Sequence, residues 1–165
     1  MGFAVRYEPL LDYSDYERRK WRDWIAAEPA RLDIAVQPGA RFPTVGALLD
    51  HVYLVERRHL SRLEGGTPPD ATGVPSGDWQ RLFEYAELVR ADLRRYAADT
   101  DETIADGTIS FTGWDGVAYT MSRRKLLTHI VMHEVRHLAQ IALAARLRGV
   151  EPPGAHDIAF CPEVA

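Results

Sequence analysis

Residues 122–148, SRRKLLTHIVMHEVRHLAQIALAARLR, carry the pattern from which the fold is read. Leu126, Ile130, Leu138, Ile141 and Ala145 fall on one face at 100° per residue, so the spacing predicts an amphipathic helix from about Ser122 to Arg148. Gly149 ends it, and Pro152 with Pro153 prevent its continuation. Within it His129, His133 and His137 recur every four residues, and each such step turns a helix by only about 40°. All three therefore lie along one side.

The preceding interval, Thr108 to Met121, has a different period. TISFT and VAYTM alternate apolar with polar residues around Gly-Trp-Asp-Gly, which predicts a β-hairpin. Upstream, Leu82, Ala86, Val89, Leu93 and Tyr96 step by four, three, four and three, marking a helix from Asp78 to about Ala98. Residues 65–78, GGTPPDATGVPSGD, are too rich in Gly and Pro for regular structure and form the longest loop. Thr44 is placed to cap a helix reaching Leu63, after a turn at PGARFP (residues 38–43). An earlier helix runs from about Leu10 to Ala27 and stops at Pro29. Four helices of about 18 to 27 residues predict an all-α four-helix bundle with a short β-hairpin before the last helix.

The bulk properties agree with one domain spanning 1–165, long enough to bury about two-thirds of its unfolded surface. Hydrophobic residues make up 46% and charged residues 27%, a globular rather than disordered composition. A net charge of −4 offers no electrostatic attraction to nucleic acid, and no apolar run is long enough to span a bilayer. The first residues lack the pattern of an export signal, and the single cysteine, Cys161, forms no intrachain disulfide; both point to the cytoplasm. The four tryptophans and seven tyrosines are expected mostly in the core, with Trp114 in the hairpin turn a candidate for the rim of a pocket or a dimer contact.

The histidines carry the chemistry. Metal–imidazole bonds are about 2 Å long, so one ion can be held by two histidines at i and i+4. The outer two cannot share an ion, because eight residues of rise separate them by about 12 Å. The choice lies between His129 with His133 and His133 with His137. His137 falls next to the apolar stripe, His133 one step round, and His129 farther still near Gln140, so the inner pair faces the bundle interior. A third ligand must come from another helix. His51, on the flank of the Leu48, Val52 and Val55 stripe, is the candidate, while His59 lies closer to the centre of that stripe. His59 and His156 are read as surface or hydrogen-bonded core residues. Three imidazoles would leave a coordination position open, the catalytic rather than the structural pattern.

Two other readings of the same residues stand beside this one. His133-Glu134-Val135-Arg136-His137 matches the His-Glu-x-x-His of metalloproteases, but only His156, in an irregular tail, follows as a third ligand. Alternatively the helix histidines line a solvated flank. Glu56 and Glu134 are candidate proton acceptors, and the preferred reading makes them solvated helix-face charges paired with Arg57, Arg58 or Arg136.

FPTVGALLDHVYLVERRHLSRL (42–63) and KLLTHIVMHEVRHLAQIALAARLRGVEPP (125–153) resemble the second and final helices of the DinB/YfiT-like superfamily of metal-binding four-helix bundles. The resemblance covers most of the chain. It implies a metal triad of His51, His133 and His137, with His129 and Gln140 as neighbours of the site. It departs from the family where Leu138 and Ala139 stand in place of a common Arg-Gly, which removes any substrate-binding role of that arginine. The family includes metal-dependent transferases that use a low-molecular-weight thiol, and homodimers are frequent in it. The resemblance thus implies one divalent transition metal, zinc or nickel first among those that suit three histidines. The expected activity is a thiol S-transferase or a metal-dependent hydrolase acting on a small molecule. The contrasting expectations are a non-catalytic stress-response module that binds metal or dimerises, and a bundle that binds a small molecule without metal.

Overall fold

The computed structural model describes residues 6–37, 39–75, 77–113 and 115–164. Helix α1 spans Glu8–Ala27, starting two residues before the expected Leu10, with Pro9 in its first turn where a missing N–H costs nothing. A 3-10 turn, Pro29–Asp33, follows. Thr44 caps α2 (Val45–Leu63), its hydroxyl accepting from the Ala47 N–H at 3.2 Å. Asp78 does the same for α3 (Trp79–Ala98) through the Arg81 N–H at 3.1 Å. The periodicity gave no warning of α4 (Glu102–Asp106), one turn capped by Asp101 and too short to show a repeat.

Strands β1 (Thr108–Thr112) and β2 (Ala118–Ser122) form the expected antiparallel hairpin, in a register that sets Thr108 opposite Ser122 and Thr112 opposite Ala118. Trp114, the candidate rim residue of its turn, lies outside the described residues. Ser122 ends β2 and caps α5 (Arg123–Leu147) by accepting from the Lys125 N–H at 3.2 Å. Gly149 closes α5 with φ +72°, and the Val150 and Gly149 N–H groups bond back to the Ala145 and Arg146 carbonyls. That is the left-handed end that favours glycine.

The tail then returns along α1. The Trp24 indole donates to the Glu151 carbonyl at 2.8 Å, and the Tyr13 hydroxyl and Lys20 ammonium donate to the His156 and Ala155 carbonyls. Cys161 is buried there as a free thiol. His156 behaves as expected of a hydrogen-bonded residue, bonded through Nδ1 to Glu17 at 2.6 Å and stacked on Trp21 at 5.3 Å. The aromatic residues are less uniformly interior than expected. Trp21, Trp24, Tyr13 and Tyr53 are buried, whereas Trp79, Tyr85 and Tyr96 are only partly so and Tyr119 is exposed. Among the described residues no helix is long and apolar enough to cross a membrane.

The core of the four long helices is divided in two. One apolar cluster gathers Trp21, Leu49, Tyr53, Ala86, Leu138 and Ile141, and the other gathers Leu11, Leu60, Leu93, Leu126 and Ile130. Between them each helix contributes a charged residue to a single layer: Arg18 from α1, Glu56 from α2, Arg90 from α3 and Glu134 from α5. Arg90 donates to Glu56 at 2.9 Å, to Glu134 at 2.8 Å and to Asp15 at 2.6 Å. Arg18 donates to Glu134 at 2.5 Å and to Glu56, and the Ser14 hydroxyl donates to Glu134.

This layer corrects the expectation for the two glutamates. Glu56 is 2% exposed and Glu134 1%, and their partners are not Arg57, Arg58 or Arg136. Two guanidinium groups balance the two carboxylates, so the desolvation cost of each ion is met by charge-assisted bonds. Arg57 instead pairs with Glu64 and Asp92 near the surface.

Candidate metal centre

Helices α2 and α5 run antiparallel in contact, as the bond from Arg123 to the Leu63 carbonyl at 2.7 Å and the meeting of His51 with His133 both require. Their facing sides form the two long walls of one cavity of about 1090 Å³. His51, His133 and His137 converge on it, and one ring nitrogen from each lies within 4.8 Å of the other two. The Nε2 atoms of His133 and His137 are 3.1 Å apart. Two bonds of about 2 Å at a tetrahedral angle would set ligand atoms roughly 3.3 Å apart, so that pair is spaced for a shared ion.

Each ring is held by its surroundings. His133 and His137 are 7% and 8% exposed, which agrees with the helical angles that set them nearer the apolar stripe than His129. The Gln140 Oε1 accepts from His137 Nδ1 at 2.6 Å. A neutral imidazole carries one proton, so this bond leaves the lone pair on Nε2, the atom turned toward His133. Phe42 stacks on His51 at 3.9 Å, fixing the plane of the ring that the second helix supplies.

The electrostatics favour neutral ligands. Burial, then the nearby His137 and the Arg41, Arg58 and Arg136 charges, lower His51 to about 4. Burial and the neighbouring histidines lower His133 to about 2, and burial lowers His137 despite its bond to Gln140. Unprotonated imidazoles offer lone pairs at neutral pH, the state that metal binding requires. Three nitrogen donors in a buried, convergent set fit a divalent transition metal. No further carboxylate or thiol joins the set among the described residues, so the side toward the cavity is open.

His129 lies outside the convergent set. Its ring tilts against His133 at 5.5 Å and meets His59 edge-on at 5.2 Å. His59 is hydrogen-bonded, as expected, with Arg62 3.2 Å from its Nδ1, and it also lines the cavity; burial followed by His129 lowers it to about 3. Spacing could have revealed this pairing, since eight residues separate His51 from His59 just as they separate His129 from His137 on an antiparallel partner.

The protease-like motif loses its general base. Glu134 follows His133 in sequence, but its carboxylate is turned to the bundle interior, where Arg18, Arg90 and Ser14 bind it. Burial alone would raise its pKa, and Arg18 and Arg90 outweigh burial and hold it below the ordinary value. A fixed, ion-paired carboxylate held in the charged layer, outside the cavity lining, cannot serve a molecule in the cavity.

Comparison with known proteins agrees with this architecture. No curated protein shows a match to the chain. The model of the DinB family matches residues 4–161, nearly the whole sequence and all of the elements that build the histidine site. The chain belongs to the DinB family.

Proposed function

We propose that this DinB-family protein is a metal-dependent enzyme that transfers a group to a low-molecular-weight thiol, with His51, His133 and His137 as the ligands of one zinc or nickel ion. The observation that carries this reading is the convergence of three neutral imidazoles on the wall of an open cavity of about 1090 Å³. A divalent ion held there supplies Lewis acidity, which lowers the pKa of a thiol, or in the related hydrolase reading of a water. The protein supplies the rest. Gln140 keeps His137 in one tautomer, and Phe42 keeps the His51 ring in one plane. Leu54 and Val55 give the cavity an apolar side on which an electrophile can lie beside the ligands, with water displaced.

Metal analysis of protein prepared without a histidine tag tests the site, and a conjugation assay across cellular thiols tests the activity. We expect about one equivalent of zinc or nickel per chain, lost in His133→Ala or His137→Ala, and turnover abolished in His51→Ala. Protein that holds no metal, and is indifferent to His137→Ala, would overturn the metal reading. Metal-loaded protein inactive with thiols but active on esters would favour the hydrolase, and inactivity toward both would favour a binding module.

A further inference from the structure

The cavity extends well beyond the three histidines. From His51 the α2 wall continues through His59 to Arg62, and from His133 the α5 wall continues through His129 to Lys125. Because the helices are antiparallel, Arg62 and Lys125 both lie one turn beyond the His59–His129 pair, in the same direction. Helical rise puts them about 12 to 16 Å from the histidine set. The hairpin closes that end with Phe111, Tyr119 and Met121.

This end of the cavity is positively charged without compensation. Among the described residues Arg58, Arg62 and Lys125 form no ion pair with a carboxylate. Elsewhere on the surface Arg57, Arg94 and Arg124 each hold acidic partners. Of the three acids on the cavity wall, Asp50 accepts from the Thr72 hydroxyl at 2.5 Å, Asp78 caps α3, and the exposed Asp70 forms no ion pair with these cations, meeting Arg58 only through its backbone carbonyl. Arg62 is held for use, its guanidinium 4.5 Å over the Phe111 ring and 3.2 Å from His59 Nδ1. Arg58 is aimed by two bonds to loop carbonyls, 2.7 Å to Pro69 and 2.8 Å to Asp70. Burial, then Arg58, lowers the Arg62 pKa, so these two arginines repel each other in a half-buried place. Uncompensated like charges focused in a cleft attract an anion. In a chain of net charge −4, this concentration is the opposite of the overall balance.

We propose that the cavity takes an elongated molecule whose far end carries a carboxylate or phosphate, bound by Arg62, Lys125 and Arg58 beneath the hairpin. The placement of the molecule's reactive end at the histidine set rests on the function proposed above; the anion subsite itself does not. Val55 between the two ends and Phe111 and Met121 at the far end supply apolar surface for the connecting chain.

Two probes that differ only at the far end separate the claims: 8-mercaptooctanoate and 8-mercapto-1-octanol. Their binding is measured by calorimetry on metal-free protein, and on cobalt-loaded protein also by the thiolate-to-cobalt absorption band. The carboxylate probe should bind about tenfold more tightly in both states, the size of one charge-assisted hydrogen bond. Lys125→Gln and Arg62→Gln should each reduce that ratio and together bring it near one, with the cobalt spectrum and the far-ultraviolet circular dichroism unchanged. Equal affinity for the two probes, or no binding of either to folded protein, overturns the anion subsite. A carboxylate preference without any cobalt–thiolate band supports the subsite and instead overturns the metal reading. A ratio that Lys125→Gln and Arg62→Gln leave untouched assigns the preference elsewhere and also overturns the proposal.

Discussion

Gln140 shows how a residue that touches no reacting atom can decide a ligand's chemistry. By accepting from His137 Nδ1 it leaves Nε2 as the only lone pair, pointing at His133. Removing such a partner typically costs 10- to 100-fold in metal affinity, so Gln140→Ala should weaken zinc binding by roughly that factor in a chelator competition. The melting temperature of metal-free protein should change little, because Gln140 is exposed. An unchanged zinc affinity would mean that the bond does no orienting. His129 makes the contrasting case. It sits one turn from His133 but faces His59, so His129→Ala should leave the metal stoichiometry at that of the unsubstituted protein.

At the scale of elements, the site depends on two helices being started and aligned correctly. Thr44 begins α2 and Ser122 begins α5, each by a hydroxyl that accepts from the third residue of its helix. Replacing Thr44 by Ala should cost about 1 kcal/mol of stability in urea denaturation, the usual value of a lost cap. A loss indistinguishable from zero would show that the Ala35–Thr44 bridge, not the cap, fixes the start of α2. The loop after α2 depends on tertiary bonds rather than on its own propensity. Arg58 holds the Pro69 and Asp70 carbonyls, and Thr72 donates to Asp50. Arg58→Ala should therefore speed limited proteolysis within residues 65–75 several-fold while leaving cleavage elsewhere unchanged.

The molecule as a whole is organised around its charged layer. Each of its four members is more than nine-tenths buried, and loss of one leaves its partner uncompensated. Arg90→Ala should destabilise the protein by about 3 to 5 kcal/mol, far more than the replacement of a surface arginine such as Arg124. The layer and the histidines also set the response to acid. Glu134 has a depressed pKa in the fold, so its contribution is present above its unfolded value and is lost as pH falls through the folded one. His51, His59 and His133 are held at about 4, 3 and 2, below the ordinary 6.5, so the unfolded chain takes up their protons first. Both effects have the same sign. The urea midpoint of metal-free protein should be level above pH 7 and fall steadily below about 6.5. A midpoint flat from pH 7 to 5 would contradict the burial of neutral histidines.

By itself the sequence determined the helices, the hairpin, and the nearness of His133 and His137 to the bundle interior. These follow from local spacing, because the periods of helix and strand are properties of consecutive residues. The burial of Glu56 and Glu134 was present in the same spacing: Leu49, Tyr53, Glu56, Leu60 and Leu63 form one stripe on α2, and Leu127, Val131, Glu134, Leu138 and Ile141 one on α5. A charge within an apolar stripe reads as solvated until its partner is known, and Arg18 and Arg90 lie on other helices. Only the tertiary structure decided that pairing. It also decided that His51 meets the α5 histidines and that His59 faces His129, because helix register is set by packing between elements distant in sequence. The concentration of Arg58, Arg62 and Lys125 at the hairpin end of the cavity has the same origin: repulsion among cations is a property of where the chain brings them, not of their order along it.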